Sequence, residues 1–286
     1  MDFRSLVNKI NLPESARVGV MEMYETLDFS PYEQAREIMT ADSDSFTAGY
    51  QALRDAIGDT PDEHQRLTLT LELVIALTTY EKYKEKGIPD RIFFDTMGVF
   101  SRYAELYEKK YGVWGFDRGH WAPRHLSMNI FRLGILEYEY GARAGKSCLA
   151  VHIPPSISLT DQTLNDSFGM ARAFTNKYYP ERKDLEIMTQ TWLVSPILDY
   201  LLPEGSKILL FKSKFDIIRA EAGEGYALNF IFDRKDFNFD TDDIDTLPEE
   251  TSLQRRVKAL YKKGGRVGAG VGILKEDTVP VYEGEI

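Results

Sequence analysis

Cysteine is almost absent from this sequence, which contains Cys148 alone among its 286 residues. A single cysteine excludes an internal disulfide and is typical of proteins that fold in the reducing cytoplasm. Also missing is any apolar run of about 20 residues, so the sequence predicts no transmembrane helix. The N-terminal stretch lacks the apolar centre and the small-residue cleavage site of a secretory signal peptide. These absences together predict a cytoplasmic protein with no membrane partner.

Positive charge is scarce as well. The sequence has 35 lysines and arginines but 45 aspartates and glutamates, which gives a formal net charge of −10. No basic stripe offsets this excess, so the composition argues against a nucleic-acid partner. The acidic segment 233–250 is interpreted as a solvated loop, with a cation-attracting rim near a site as the alternative. His120 and His125 have neither a cysteine nor an HExxH motif beside them, so no metal cofactor is expected.

The first 125 residues have helical patterns throughout. Thr60 starts a capping box with proline at the first helical position, so a long helix is expected from there to a left-handed cap at Gly87. Its centre, 67–80, is apolar nearly all round and should be buried. A further helix is expected from Pro89 to about Lys110.

The segment 111–125 breaks the helical pattern with three glycines and a proline. We interpret it as the connection between a helical domain, 1–125, and a second domain, 126–286.

The second half of the sequence alternates between predicted strands and predicted helices. Strands are expected near 131–140, 147–153, 185–194, 207–219, 226–232 and 267–274, and helices near 160–178 and 250–263. This order predicts an α/β or α+β domain, in which helices pack on a mixed sheet. In 131–140 the apolar residues change parity after Ile135, which indicates either a β-bulge or a strand buried on both faces.

Several motifs follow one another in this half: VHIP (151–154), TWLVSP (191–196), KILLFKSKF (207–215), LPEETSLQRRVKAL (247–260) and GGRVGAGVGIL (264–274). In this order they resemble bacterial acyltransferase-domain proteins, which join a helical N-terminal domain to a GNAT-like C-terminal domain. The resemblance covers roughly the whole chain, most clearly 130–275. It implies direct transfer of an acyl group from acyl-CoA, as co-substrate, to an amine or hydroxyl of a small-molecule acceptor.

Candidates for acid–base chemistry lie at two strand ends. The resemblance points to Glu137 or His152 as the base that takes the acceptor proton, and to Tyr138 or Tyr140 as the acid that protonates the departing thiolate. His152 stands before two prolines and belongs to the residue type that titrates near neutral pH. The alternative for His152 is a structural role at the strand end. The alternative for Glu137, Tyr138 and Tyr140 is a polar strand end that faces water.

The resemblance also implies a coenzyme A site, for which Arg266, Gly268 and Gly270 are the candidates, because cations and backbone amides bind phosphate. However, the usual GNAT pyrophosphate loop, Q or R followed by x-x-G-x-G/A between a strand and a helix, has no match in this stretch. A helix cap followed by a closely packed strand is the alternative. Trp121 and Trp192 are expected to line the substrate pocket, with core packing as the alternative.

Two other functions stay open. The missing loop favours a non-catalytic GNAT-like ligand-binding protein that has lost the coenzyme A loop. A serine hydrolase built on Ser195 has less support, because the sequence lacks a G-x-S-x-G elbow around it and Ser195-Pro196 is typical of a helix N-cap.

Overall fold

The computed structural model describes residues 1–282, 284 and 286. The helices of this part of the chain are α1 (Phe3–Lys9), α2 (Glu14–Thr26), α3 (Glu33–Met39), α4 (Phe46–Ile57), α5 (Arg66–Glu85), α6 (Asp90–Tyr111), α7 (Pro123–Leu126), α8 (Asp161–Tyr178), α9 (Leu198–Leu201), α10 (Lys207–Ser213), α11 (Gly225–Phe232) and α12 (Ser252–Lys262). The strands are β1 (Ile130–Leu133), β2 (Leu136–Arg143), β3 (Lys146–His152), β4 (Glu186–Thr191), β5 (Phe215–Glu221) and β6 (Ala269–Leu274).

These elements divide into two compact units. The first unit contains 1–140, 174–180 and the last described residues, and the second contains 141–173 and 181–282. Strand β2 and helix α8 therefore each contribute residues to both units. The predicted domain boundary after residue 125 stays a prediction.

The six strands form one mixed sheet in the order β1-β2-β3-β4-β6-β5. Strands β3 and β4 run parallel, whereas β6 runs antiparallel between β4 and β5. Helix α8 packs on the second unit's part of this sheet, where the ring centroids of Phe168 and Phe215 are 5.9 Å apart. A helical N-terminal region followed by a mixed sheet with packed helices confirms the predicted fold class.

The segment 131–140 is a hairpin rather than one strand. Leu133 pairs with Leu136, and the two residues between them form the turn, in which Gly134 has a φ of +67°. Glycine accepts this left-handed conformation because it has no Cβ. The bulge interpretation is therefore wrong, because the chain reverses direction at that point, whereas β2 is buried on both faces over 136–140.

Two predicted strands are helices instead. The segment 207–213 forms α10, which starts when the Ser206 hydroxyl accepts a hydrogen bond from the Ile208 amide (3.3 Å), and β5 begins only at Phe215. The segment 226–232 belongs to α11, whose buried positions follow helical spacing. Short segments with apolar residues on every side fit both periods, so alternation alone could not separate strand from helix.

Helix α5 begins at Arg66, six positions after the predicted start at Thr60. The Asp62 carboxylate accepts a hydrogen bond from the Leu67 amide (2.7 Å), so a side chain outside the helix satisfies an amide of its first turn. The predicted burial of the helix centre and the left-handed Gly87 beyond its C-terminus (φ +71°) are both confirmed.

Strands β3 and β6 and helices α6, α8 and α12 lie where the sequence predicts them. Among the described residues, no helix combines the length and the apolarity that crossing a bilayer requires.

Candidate functional site

The matched pairing of two neighbouring strands of the second unit stops before the strands end. The parallel pair β3–β4 is matched from Cys148 and Glu186 to Ala150 and Met188. Both strands then continue, β3 to His152 and β4 to Thr191, without a further matched pair in the described part of the chain. We call the unmatched stretch between 151–152 and 189–191 the strand opening, across which the Thr189 hydroxyl donates a hydrogen bond to the Val151 carbonyl oxygen (3.5 Å). It lies at the carboxyl ends of parallel strands, where open α/β sheets bind their ligands.

His152 lies at the strand opening and is half-buried. Its Nε2 atom is 3.4 Å from Nη2 of Arg143. Because a guanidinium only donates hydrogen bonds, this contact makes Nε2 the acceptor and places the proton of a neutral imidazole on Nδ1. Nε2 therefore carries the lone pair that is able to take a proton, as the predicted base must.

A second polar pair, which the sequence did not indicate, lies in the same unit. The side-chain amide of Gln190, on β4, donates a hydrogen bond to Oε2 of Glu221, the last residue of β5 (2.7 Å). Arg219 also binds this carboxylate. Glu221 lies beyond the segment 207–219 that was predicted as a strand, so its position at a strand end was not visible in the sequence.

The loop after β3 leads into α8, and side chains at the start of this helix cap its first turn. Oγ1 of Thr160 accepts a hydrogen bond from the Thr163 amide (3.2 Å), while the Thr160 amide donates to Oγ1 of Thr163 (3.2 Å). Thr160 is therefore the N-cap of α8. The first-turn amides of an eighteen-residue helix also favour a negatively charged ligand.

Two lysines from the ends of α10 reach this segment. Lys207 donates a hydrogen bond to the Ser158 hydroxyl (2.9 Å), and Lys214 donates one to Oδ1 of Asp161 (2.6 Å). The hydrogen bond from Lys214 is the main cause that lowers the pKa of Asp161. The acidic residue at the start of α8 is thus paired with a cation, and Lys207 adds a further positive charge beside the loop.

The glycine-rich turn has contacts of a different kind. The Arg266 guanidinium lies 3.8 Å from the ring centroid of Phe239, and the Gly268 amide donates a hydrogen bond to Oε1 of Glu224 (2.6 Å). The Gly268 amide, a candidate phosphate donor, thus already donates its hydrogen bond to the Glu224 carboxylate. The roles of Arg266, Gly268 and Gly270 in cofactor binding stay predictions, for which these contacts give no added support.

Gly270 allows a close approach between β6 and the turn after β4. A Cβ at this position would lie 2.8 Å from the carbonyl oxygen of Val194. We expect Gly270→Ala to lower the free energy of unfolding by about 1–3 kcal/mol, the usual cost of overpacking, and to leave the affinity of the folded protein for coenzyme A unchanged. Chemical denaturation and calorimetric titration measure the two quantities.

Gly223→Ala is the matched control for this substitution, because a Cβ there meets no atom within 4 Å. A loss of coenzyme A affinity in Gly270→Ala without a loss of stability would instead support the predicted phosphate-binding role.

Glu137 belongs to the first unit and is buried in a cluster of charges. Its carboxylate forms an ion pair with Arg102 and lies 3.6 Å from Nε2 of His125. Burial raises the pKa of Glu137, but His125 and the charges of Arg102 and Arg132 outweigh burial and lower it to about 2. A carboxylate stabilised in this way is a weak base. Of the two candidate bases, only His152 lies at the strand opening.

The two tyrosines proposed as acids also belong to the first unit. Tyr138 is fully buried, and the Tyr140 hydroxyl lies 3.3 Å from Oγ1 of Thr175. The ring centroids of Tyr140 and Tyr179 are 5.0 Å apart. These contacts suit core residues, and the roles of both tyrosines as acids stay predictions.

The two tryptophans belong to different units and have different surroundings. Trp192 is 8% exposed and packs in a hydrophobic cluster with Leu198 and Tyr261. Trp121 is half-buried, with the guanidinium of Arg124 4.8 Å from its ring centroid. Trp192 is therefore a core residue of its unit, whereas Trp121 retains an accessible surface. Whether they contact substrate stays a prediction.

A nucleophilic serine and a metal centre receive no structural support. The Ser195 hydroxyl donates a hydrogen bond to the carbonyl oxygen of Val267, so it is already engaged. Helix α9 begins at Leu198 with Ile197 as its N-cap, so the predicted capping role of Ser195 is wrong. Within the described residues, no group of three or more histidine, cysteine, aspartate and glutamate side chains is arranged to hold a metal ion.

Comparison with known families and structures gives a consistent result. Residues 1–128 match the model of the N-acyltransferase N-terminal domain, and residues 130–274 match that of the GNAT-like C-terminal domain. No curated protein matches the chain.

Among solved structures, the chain is similar to the crystal structure of an acyltransferase in complex with decanoyl-CoA and teicoplanin, with a TM-score of 0.77 and 22% sequence identity. That alignment covers 95% of this chain and 87% of the other. A mutant acyltransferase in complex with octanoyl-CoA is equally similar, with a TM-score of 0.77 and 22% identity over 97% of this chain and 87% of the other. These likenesses agree with the helical region and the mixed sheet described above.

Proposed function

Because the chain belongs to the family that joins an N-acyltransferase N-terminal domain to a GNAT-like C-terminal domain, we propose that it transfers an acyl group from acyl-CoA to an amine or hydroxyl of a small-molecule acceptor. The observation that carries this proposal is the strand opening, which has His152 at its edge. The similar solved acyltransferases were crystallised with decanoyl-CoA and octanoyl-CoA, which supports donors with acyl chains of that length.

The strand opening suits the thioester arm of the donor. Beyond the last matched pair of β3 and β4, the Val151 carbonyl oxygen accepts a hydrogen bond from the Thr189 hydroxyl (3.5 Å), and the backbone groups of the residues that follow are the ones proposed to bind the donor. The amides of the pantetheine arm are suitable partners for those groups. A backbone N–H at the same edge is also suited to hold the thioester carbonyl and to stabilise the negative charge that develops on its oxygen.

The phosphates of the donor fit best at the loop 154–160 and the start of α8. Lys207 contacts this loop, and the helix N-terminus adds a partial positive charge. The glycine-rich turn is the less suitable position, because the Gly268 amide is bound to Glu224.

The chemistry assigned to His152 is that of a general base. The acceptor nitrogen or oxygen attacks the thioester carbon, so a bond to that carbon forms as its bond to sulfur breaks. Nε2 of His152 takes the acceptor proton, and the same proton can then pass to the departing thiolate, which leaves as the free thiol of coenzyme A. Arg143 must yield its contact with Nε2 when the proton arrives.

We place the reaction in the cytoplasm with small molecules as its partners. The lone cysteine, Cys148, is buried and forms no disulfide, which fits a reducing compartment. Acyl-CoA serves as co-substrate, and the proposed mechanism uses no metal ion.

Thermal stabilisation by decanoyl-CoA tests the proposal. A ligand at 100 times its dissociation constant should stabilise the folded protein by about 2.7 kcal/mol. We expect Lys207→Gln to raise that dissociation constant roughly tenfold, because a hydrogen bond to a charged group is worth about 1.5 kcal/mol or more. Calorimetric titration measures the change.

Lys183→Gln is the control, since Lys183 is an exposed lysine outside α10 and the loop. Absence of any stabilisation by decanoyl-CoA would contradict the proposal. Stabilisation without release of free coenzyme A in the presence of amines would instead favour the non-catalytic binding protein.

A further inference from the structure

An acyltransferase must hold its acceptor beside the base, and we propose that Arg143 binds a carboxylate on the acceptor. The acceptor then carries its nucleophile and a carboxylate on adjacent carbon atoms, as 2-hydroxy and 2-amino acids do. This inference rests on the proposed function and extends it, because it assigns a specificity-determining residue to the acceptor. The base remains His152.

A tight turn fixes the position of Arg143 on the sheet. Ala144 and Gly145 separate the end of β2 from the start of β3, and their φ angles are +51° and +80°. A two-residue turn with both φ angles positive is a common connection of a β-hairpin. Arg143 and Lys146 flank this turn, so their side chains point to the same face of the sheet.

That face also carries the base at the other end of β3. Because side chains alternate along a strand, the following residues on it are Cys148, Ala150 and His152. Cys148 and Ala150 are fully buried members of one hydrophobic cluster, which agrees with a shared face. Their small side chains leave room for the long Arg143 side chain, whose Nη2 atom is 3.4 Å from Nε2 of His152.

Two contacts of the Arg143 guanidinium are ones that a carboxylate can replace. The contact of Nη2 with Nε2 of His152 is 3.4 Å long, more than the usual distance of about 3 Å for a nitrogen donor. Nη1 donates a hydrogen bond to the carbonyl oxygen of Ala142 (2.8 Å). Both acceptors are uncharged, whereas a guanidinium binds a carboxylate through two parallel charge-assisted hydrogen bonds. A carboxylate is therefore the stronger partner for these two nitrogens.

The lysine on the other side of the turn is less suited to this role. Nζ of Lys146 lies 3.7 Å from Oε2 of Glu186, so a carboxylate already balances its charge. The Lys146 side chain is also 61% exposed, and water screens a charge in that position. Arg143 is half-buried, where its attraction to an anion is stronger.

The proton transfer assigned to His152 gives a reason for the exchange of partners. After Nε2 takes the acceptor proton, the imidazole and the guanidinium are both cations and both only donate hydrogen bonds. A carboxylate that binds Arg143 draws the guanidinium away from Nε2, which then accepts a hydrogen bond from the nucleophile of the acceptor. The same carboxylate places a negative charge beside the two cations.

One acceptor molecule reaches both residues, because 3.4 Å is a separation that a hydroxyl and a carboxylate on adjacent carbon atoms span. The hydroxyl oxygen forms a bond to the thioester carbon as the carbon–sulfur bond breaks. Its proton passes to Nε2 of His152 and from there to the thiolate. A 2-amino acid first loses one ammonium proton to water and then reacts in the same way. Arg143 orients the acceptor and forms no covalent bond.

The probes 2-hydroxyhexanoate and 1,2-hexanediol test this assignment, because they differ only in whether a carboxylate or a hydroxymethyl group stands beside the hydroxyl. The protein is titrated with each probe at constant neutral pH, with and without coenzyme A, and the imidazole resonances of His152 are followed by NMR. His152→Ala identifies these resonances by their loss. We expect the hydroxy acid to shift them with a dissociation constant at least about tenfold below that of the diol.

Substitution of the arginine gives a second measurement. Arg143→Gln should raise the dissociation constant of 2-hydroxyhexanoate at least about tenfold and leave that of the diol unchanged. Arg143→Lys keeps the charge but loses the planar fork, so its affinity should fall between those of Arg143→Gln and the wild type. Lys146→Gln is the matched control, since it removes a cation from the same turn and should leave the affinity unchanged.

Equal affinities of the wild type for the two probes, or no shift with either, would overturn the inference without any variant having to fold. Unchanged binding of the hydroxy acid in Arg143→Gln would overturn it as well. So would a raised dissociation constant of coenzyme A in that variant with hydroxy-acid binding intact, because the guanidinium would then belong to the donor site. Failure of the proposed function is seen separately, as the absence of stabilisation by decanoyl-CoA.

Discussion

Replacing His152 with alanine is expected to lower kcat for acyl transfer by about 10²–10⁴-fold, the usual contribution of a general base. The loss should appear in kcat, because the imidazole is assigned to the reacting proton and not to donor binding. Steady-state release of free coenzyme A with a saturating amine measures it, and calorimetry with decanoyl-CoA should show an unchanged dissociation constant.

His120→Ala is the control for this variant, since His120 is an exposed histidine outside the strand opening. If His152→Ala retained full kcat while remaining folded, His152 would be a structural histidine at a strand end, and the proposed mechanism would lose its base.

Replacing Glu137 with glutamine is expected to cause the largest loss of stability. The carboxylate is buried beside Arg102 and His125, so its removal leaves the Arg102 guanidinium without its counter-charge. Breaking a buried ion pair from one side costs about 3–5 kcal/mol. Urea unfolding at neutral pH should show this loss, whereas Glu105→Gln, an exposed position on α6, should change the free energy of unfolding by less than about 0.5 kcal/mol.

The pH dependence of this loss follows from the pKa of Glu137. That pKa is about 2 in the folded protein and near 4.5 in the unfolded chain, so the unfolded state binds the proton more readily. The stabilisation is fully present above pH 4.5 and is lost as the pH falls toward 2. The difference between wild type and Glu137→Gln should therefore shrink below pH 4.5. A large fall in kcat with little loss of stability would instead identify Glu137 as the base.

The sequence predicted the architecture where local patterns were unambiguous. Helix α6 has one clear apolar stripe, so it fits a single period. The errors fell on α10 and α11, because short segments that are apolar all round satisfy both periods. Gly134 was the one local sign of the hairpin between β1 and β2.

The candidate site was only partly visible in the sequence for a related reason. His152 could be found because a histidine before two prolines at a strand end stands out. Gln190 and Glu221 could not be paired, since their contact depends on a β4-β6-β5 order that brings distant segments together. The weak basicity of Glu137 likewise depends on Arg102, which is 35 positions away along the chain.

The division of the chain between its two units limits how the protein can be dissected. The first unit recruits 174–180 from beyond β3, and the rings of Phe174 and Tyr179 lie 4.7 Å and 5.5 Å from that of Phe131. A fragment that stopped at residue 140 would expose the apolar surface that these rings cover. A single cut after residue 140 therefore separates the first unit from part of its own core.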